Sequence, residues 1–168
     1  MKKITFVMAF TMLTIALFSQ DIAPLKYQKS VNLDLLGGGF FLNFSFDMRL
    51  RKGVSDGLGF KVGVGGFKAL GYGDLFVATL PIEVNYLIGK GNRSLELGIG
   101  LLNSYGTNSK ESSSFLKDGF NTGTFYPKIG YRYQPSKNGF TYNIAYTPLI
   151  NSNGFKHYFG FGVGYSFR

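Results

Sequence analysis

Side chains that could carry out catalysis or hold a cofactor are few in this chain. His157 is the only histidine, and there is no cysteine, so thiolate chemistry is excluded. Ser152 or Ser166 could act as a nucleophile only with a base beside it, and a lone histidine at a strand end is more often a surface residue. The glycine repeats at 63–66 and 160–162 are not followed by the helical pattern that a phosphate-binding loop requires. The sequence therefore predicts no catalytic residue, no metal site and no cofactor.

Charged residues, by contrast, recur at regular positions. Arg49, for example, lies between Met48 and Leu50, in a segment where every second residue is apolar. If such charges point into an interior, acids and bases must pair there, because a buried charge without a partner is very costly. We therefore predict an internal network of charges formed by Arg49, Lys61, Glu83, Glu96, Lys128 and Arg132.

The elements that would position these charges are strands. A period of two between apolar residues is typical of a strand and not of a helix. Eight segments have this period, the first of them less clearly than the others: 31–36, 42–50, 58–64, 80–86, 95–101, 129–133, 140–146 and 159–167. An even number of strands is what single-chain bacterial barrels contain.

The N-terminal residues have the features of a secretory signal peptide. Lys2 and Lys3 precede an apolar run that ends at Phe18, shorter than the ~20 residues of a spanning helix. We expect cleavage near residue 20, which leaves residues 21–168 as a single domain. Loss of the two lysines lowers the formal net charge from +9 to +7. A basic exported chain fits an anionic partner such as lipopolysaccharide, and export argues against nucleic acid.

The polar face of the predicted strands indicates which side faces the interior. It is rich in glycine, for instance at Gly59, Gly63 and Gly98, although glycine is depleted from strands that face water. The interior of an eight-stranded barrel is only wide enough for side chains to fill it. Glycine on this face would make room there for long residues of neighbouring strands, and the apolar face would meet lipid. These features predict a closed antiparallel transmembrane β-barrel of about eight strands.

The connections between strands alternate in length. Three are short and rich in turn-forming residues, at 52–56, 89–93 and 134–138. Those on the opposite side are 37–39, 66–73, 103–119 and 151–156, and all but the first are longer. Short periplasmic turns are typical of outer-membrane barrels. The polar segment 103–119 is the expected place for an extracellular ligand, although a tolerated insertion without a binding role fits it equally well.

Aromatic residues near strand ends could form the girdles that mark the two membrane interfaces. We expect this role for Tyr86, Tyr126, Tyr133, Tyr146 and Tyr165. Tryptophan is absent, so tyrosine and phenylalanine would have to form the girdles alone.

The last strand resembles the closing strand of small Gram-negative outer-membrane β-barrel proteins. Its alternating apolar residues are similar to the signal that the barrel-assembly machinery reads, although Arg168 follows the final aromatic residue: Phe159, Phe161, Val163, Tyr165 and Phe167. Residues 80–89 also resemble a strand of such barrels. The resemblance covers nearly the whole mature chain, and it implies a location in the bacterial outer membrane and partners in lipid and the assembly machinery.

Three functions follow as hypotheses. The first is a barrel without enzymatic activity that binds a partner at the cell surface or contributes to envelope integrity. The second is a narrow channel for ions or small solutes, lined by the inward charges. The third is an enzyme that modifies lipid A; lipid A deacylases have a serine two positions after their histidine, whereas Phe159 occupies that position after His157.

Overall fold

The computed structural model describes residues 25–68, 76–107, 119–152 and 154–168. The predicted signal peptide, residues 1–20, lies outside the described residues. No helix in the described part of the chain is long and apolar enough to cross a membrane. The strands are β1 Lys29–Leu36, β2 Leu42–Arg49, β3 Gly57–Lys68, β4 Phe76–Lys90, β5 Arg93–Thr107, β6 Gly119–Tyr133, β7 Gly139–Tyr146, β8 Leu149–Asn151, β9 Gly154–Lys156 and β10 Phe159–Phe167.

The strands form one closed antiparallel sheet. Each strand from β1 to β7 pairs with the next, β7 pairs with β10, and β10 returns to β1 along the whole length of β1. The ring therefore contains eight strands, and every one has a neighbour on both sides. This confirms the predicted fold class, a closed barrel without a free edge.

The two short strands β8 and β9 extend two of the eight strands of the ring. Ile129 of β6 is opposite Tyr146 of β7, and Phe125, four residues earlier in β6, is opposite Ile150 of β8, four residues after Tyr146. The register is thus unchanged between β7 and β8. In the same way β9 continues into β10, so residues 139–167 form one long hairpin with short interruptions near residues 147 and 158.

Several strands are longer than the sequence pattern predicts. The segment 103–119 was expected to be a loop, but β5 continues to Thr107 and β6 begins at Gly119, with Tyr105 paired to Phe120. The predicted loop 66–73 likewise begins inside β3, and most of 151–156 belongs to the hairpin of β8 and β9. Backbone pairing across the ladder continues these strands after the apolar alternation in the sequence has ended.

The connection between β1 and β2 folds inward. Residues Gly37–Gly39 form one 3-10 turn, in which Gly37 and Gly39 are buried. Leu36 and Phe40 flank the turn with φ angles of 60° and 75°, in the left-handed region that non-glycine residues rarely adopt. The short outward connection predicted here therefore closes over one mouth of the barrel.

Candidate functional site: the lumen of the barrel

Burial in this barrel is inverted relative to a water-soluble protein. Among the described residues, 22 polar or charged residues are buried, against six apolar ones. The strand β4 shows the reason, because buried and exposed residues alternate along it, with Glu83 and Asn85 inside and Ile82 and Val84 outside. The side chains that fill the lumen are thus the polar ones, and their partners must come from other strands.

Arg132 on β6 pairs with two of the acids in the lumen. Its guanidinium donates from Nε to Glu96 Oε2 at 3.1 Å and from Nη2 to Glu96 Oε1 at 2.6 Å. Nη1 donates to Asp47 Oδ2 at 2.9 Å and to Gln134 Oε1 at 3.2 Å. Two-point pairing of this kind exploits the planar fork of arginine, and it holds Arg132 in one orientation although its side chain is only 1% exposed.

Lys128, four residues before Arg132 on β6, joins two acids. Its Nζ lies 2.9 Å from Glu96 Oε1 on β5 and 3.1 Å from Glu83 Oε1 on β4. Glu83 also accepts from Asn85 Nδ2 at 3.2 Å. Glu96 therefore lies between Lys128 and Arg132, so that one carboxylate serves two cations.

Arg49 on β2 completes this cluster near the end with the short turns. It pairs with Asp47 on the same strand, and it donates to the carbonyl of Gly57 at 3.1 Å. Asn85 lies between these groups, accepting from Arg49 and donating to Asp47 Oδ2 at 2.9 Å. Asp47 thus receives hydrogen bonds from both arginines and from Asn85.

A separate pair, Lys61 and Asp34, lies nearer the other mouth. Lys61 Nζ is 2.8 Å from Asp34 Oδ2, and Ser45 Oγ donates to the same oxygen at 2.6 Å. Asn43 adds a longer contact of 3.4 Å. Both side chains of the pair are about one tenth exposed, more than the rest of the network.

All six charges that the sequence analysis selected are buried, and the structure brings each into contact with an opposite charge. Two members were missed, Asp34 and Asp47. Both occupy inward positions in the alternation of their strands, so counting charge on the polar face would have found them. With them the buried charges of the described lumen are four acids and four bases. The formal charges of the described lumen therefore sum to zero.

Tyr126 also points into the lumen, against the prediction that it belongs to an interfacial girdle. It is 1% exposed, and its ring covers Gly100 of β5 and Gly38 of the inward turn, where any Cβ would collide with it. Gly59 makes room in the same way for the guanidinium of Arg49. These close approaches explain the glycine on the inner face at three positions. The inward direction of Tyr126 follows from its parity with Lys128 along β6.

An aromatic cluster next to the inward turn packs against Leu102, Tyr126 and Leu149. The Phe40 ring stacks on Phe67 and Tyr158, with centroids 5.3 and 5.5 Å apart, and Tyr158 donates to the Phe40 carbonyl at 2.6 Å. The glycines of the inward turn line a cavity of about 30 Å³, with room for only a few water molecules. Asn43 Oδ1 and Thr147 Oγ1 have no hydrogen-bond partner among the described residues, and both residues line this cavity. Bound water is expected to satisfy them.

His157 lies outside the lumen, on the exposed hairpin. Its Nδ1 is 2.6 Å from the hydroxyl of Tyr146, and its ring meets Phe155 edge to face. In the described residues the histidine contacts neither a serine hydroxyl nor a carboxylate, which are the groups that nucleophilic catalysis would need. The described part of the chain also contains no group of three residues that could hold a metal ion.

The residues of the proposed assembly signal all lie on β10. Phe159, Phe161, Val163 and Tyr165 are exposed on the outer surface, and Phe167 follows them at the end of the strand. Because β10 pairs with β1, this row lies beside the outward row of the first strand. The seam that closes the barrel is thus apolar on its outer side.

Several solved structures are similar to this one, whereas no family model and no curated protein sequence matches. The N-terminal β-barrel domain of Pseudomonas aeruginosa OprF has a TM-score of 0.54 at 14% identity, covering 84% of this chain and 96% of that one. Ail of Yersinia pestis, solved with the heparin analogue sucrose octasulfate, has 0.41 at 13%, covering 84% and 99%. Neisserial surface protein A has 0.43 at 14%, covering 83% and 92%. The chain therefore has the eight-stranded outer-membrane β-barrel fold of the OprF domain.

Proposed function

We propose that this chain is an outer-membrane protein whose barrel spans the bilayer with a filled lumen, and whose role is surface binding, adhesion or maintenance of the envelope. The observation that carries the proposal is the inversion of burial. A soluble barrel hides its apolar side chains, whereas 34 large apolar residues are exposed on the described part of this one. Soluble monomers rarely expose contiguous apolar patches above a few hundred Å². Lipid is the solvent that suits such a surface.

The closed sheet supports the same proposal. In hydrocarbon every backbone amide and carbonyl needs a partner, and only helices and closed barrels provide one throughout. Here β1 is paired with β10 over all eight of its residues, from Lys29 opposite Phe167 to Leu36 opposite Gly160. No strand of the ring is left with an open edge. The chain has no cysteine, but it does not need disulfides for stability, because closure of the sheet supplies the stability that disulfides give to many exported domains.

A binding role is favoured over transport by the state of the lumen. Eight inward charges neutralise one another inside the barrel, and the aromatic cluster with the inward turn covers one mouth. The side chains of the interior thus fill the described lumen and connect the strands, and they leave no open path for a solute. Recognition would then fall to the outward connections, including the residues between β5 and β6, with lipopolysaccharide around the rim and the barrel-assembly machinery acting on β10 during insertion.

The test is fractionation of bacterial membranes combined with a heat-modifiability gel. The proposal expects the mature protein in the outer-membrane fraction, with an unboiled band that migrates differently from the boiled one. The matched control is the same chain with Ile99→Asp and Ile144→Asp, which places charge on the outer face and should prevent insertion. Recovery of the unaltered protein as a detergent-free soluble monomer would overturn the proposal.

A further inference from the structure

Charge outside the lumen is concentrated at one end of the barrel. The end of the barrel with the short turns also holds both ends of the described chain, and its one described acidic side chain is Asp56. Against it stand eight basic residues: Lys26, Lys29, Arg51, Lys52, Lys90, Arg93, Lys137 and Arg168. Since the lumen is neutral, the positive charge of the described barrel is mostly at this rim.

Four of these bases surround one cleft. The cleft has a volume of about 260 Å³ and is lined by Leu25, Lys26, Tyr27, Lys29, Lys52 and Arg168. The Lys52 ammonium lies 5.3 Å above the centre of the Tyr27 ring. The Arg168 guanidinium donates to Gln28 Oε1 at 2.6 Å and to the Gly53 carbonyl at 3.5 Å.

The four cations have no acidic partner in the described structure. The ion pairs between described residues lie in the lumen, and none of them involves Lys26, Lys29, Lys52 or Arg168. Four like charges around one cleft repel one another, and that repulsion is relieved by an anion. The charge distribution therefore points to an anionic occupant.

The position of the cleft identifies the kind of anion. Ser30 is buried in the lumen, so Lys29 lies on the outer face of β1, in one row with Val31 and Leu33. Leu25, at the wall of the cleft, is 66% exposed. Cationic groups are thus placed where the apolar outer surface ends, which is the level of lipid headgroups in a barrel that spans the membrane.

We infer that this cleft binds the phosphate headgroup of an anionic phospholipid of the leaflet that surrounds the rim with the short turns. The phosphate would lie among Lys26, Lys52 and Arg168, with Lys29 at its side and the acyl chains against the apolar outer face beyond Leu25. A soluble anion would use only the charges, whereas a phospholipid uses the apolar border as well. The inference rests on the proposed function, because it needs the outer face in lipid.

The experiment uses the folded barrel in neutral detergent micelles, with lipid adducts counted by native mass spectrometry. Phosphatidylglycerol is titrated against phosphatidylcholine of the same acyl chains. The cleft variant is Lys26→Gln with Lys52→Gln, and the matched control is Lys90→Gln with Arg93→Gln, which removes equal charge on the opposite side of the same rim. Each basic residue near an anionic lipid surface is worth roughly a fivefold change in binding, so the cleft variant should lose roughly 30-fold.

The expected result is preference for phosphatidylglycerol, lost in the cleft variant and kept in the control. Equal binding of both lipids by the unaltered protein, or equal loss in both variants, would overturn the inference. Displacement of bound lipid by inorganic phosphate at similar concentration would also overturn it, since the acyl chains would then contribute nothing. A heat-modifiable barrel that fails these tests leaves the proposed function standing, whereas failure of the barrel to insert into membranes defeats the proposed function itself.

Discussion

Arg132 on β6 donates to Asp47 on β2 at 2.9 Å, and the two strands are four places apart in the ring of eight. The pair therefore bridges opposite walls of the lumen. Glu96 on β5 and Asn85 on β4 connect the bridge to the strands that lie between β2 and β6 on one side of the ring. The cluster around Arg132 and Asp47 is thus one connected network, and its loss should destabilise strands on opposite sides of the barrel.

Replacement of Arg132 by methionine should be strongly destabilising, because it leaves the carboxylates of Asp47 and Glu96 buried without this partner. Breaking one member of a buried ion pair costs about 3–5 kcal/mol. Urea unfolding of the barrel in detergent micelles, followed on unboiled gels, measures the free energy of unfolding. The control Arg93→Met removes an exposed arginine and should change it by less than about 0.5 kcal/mol. Equal stability of the two variants would show that the bridge contributes nothing.

Gly100→Ala should destabilise the barrel, because the new methyl group would collide with the Tyr126 ring. Overpacking of this kind costs about 1–3 kcal/mol. Gly98→Ala is the matched control on the same face of β5, since a Cβ there would approach its neighbours no closer than 3.3 Å. Addition of Tyr126→Leu to the first variant should recover part of the loss. No recovery would mean that another contact causes the strain.

Replacement of Ile144 by arginine should lower the free energy of unfolding far more than replacement of Phe140 by arginine. Both side chains are exposed, at 58% and 80%. Ile144 lies in the middle of the long strand 139–151, whereas Phe140 follows the short turn. On a lipid-facing surface arginine costs about 2–4 kcal/mol at mid-membrane and about 0–1 near the interface. Unfolding from phospholipid vesicles measures both. Similar small costs at the two positions would indicate water on this face.

The unaltered barrel should give no steady conductance in a planar lipid bilayer, because side chains fill the lumen at the level of Arg132 and Asp47. Glu83→Gln serves as the comparison, since it leaves the side-chain volume nearly unchanged and removes one negative charge beside Lys128. Reproducible current steps that change in size with this substitution would support the channel hypothesis and count against a sealed interior.

Replacement of residues 108–118 by an Asn-Gly turn should leave a heat-modifiable barrel while abolishing any adhesion that depends on this connection. The pair Gly106 and Gly119 closes the ladder of β5 and β6, so the deletion removes no described pairing. Deletion of the full predicted loop 103–119 would instead remove paired residues such as Ser104 and Tyr105, and should weaken the barrel. Adhesion that survives the shorter deletion would place the binding surface elsewhere.

The strand count and the inward direction of six charges could be predicted because the side-chain period of a strand is two, whatever its partners are. The ends of the strands were harder to predict from the sequence. Asn103 and Ser104 look like loop residues, yet they lie in β5, because pairing with β4 satisfies their backbone whether or not their side chains alternate. Tyr126 was misplaced because its type suggested an interface, although its parity with Lys128 and Arg132 indicated the lumen.

By itself the sequence determined a two-faced, antiparallel all-β chain with apolar residues on one side and glycine and charge on the other. Only the tertiary structure decided which charges meet. Arg132 and Asp47 are 85 residues apart in sequence, and their contact depends on the closure of β1 with β10, on the register of every ladder between them and on the diameter of the ring. Those quantities are set by all eight strands together, so no local pattern contains them.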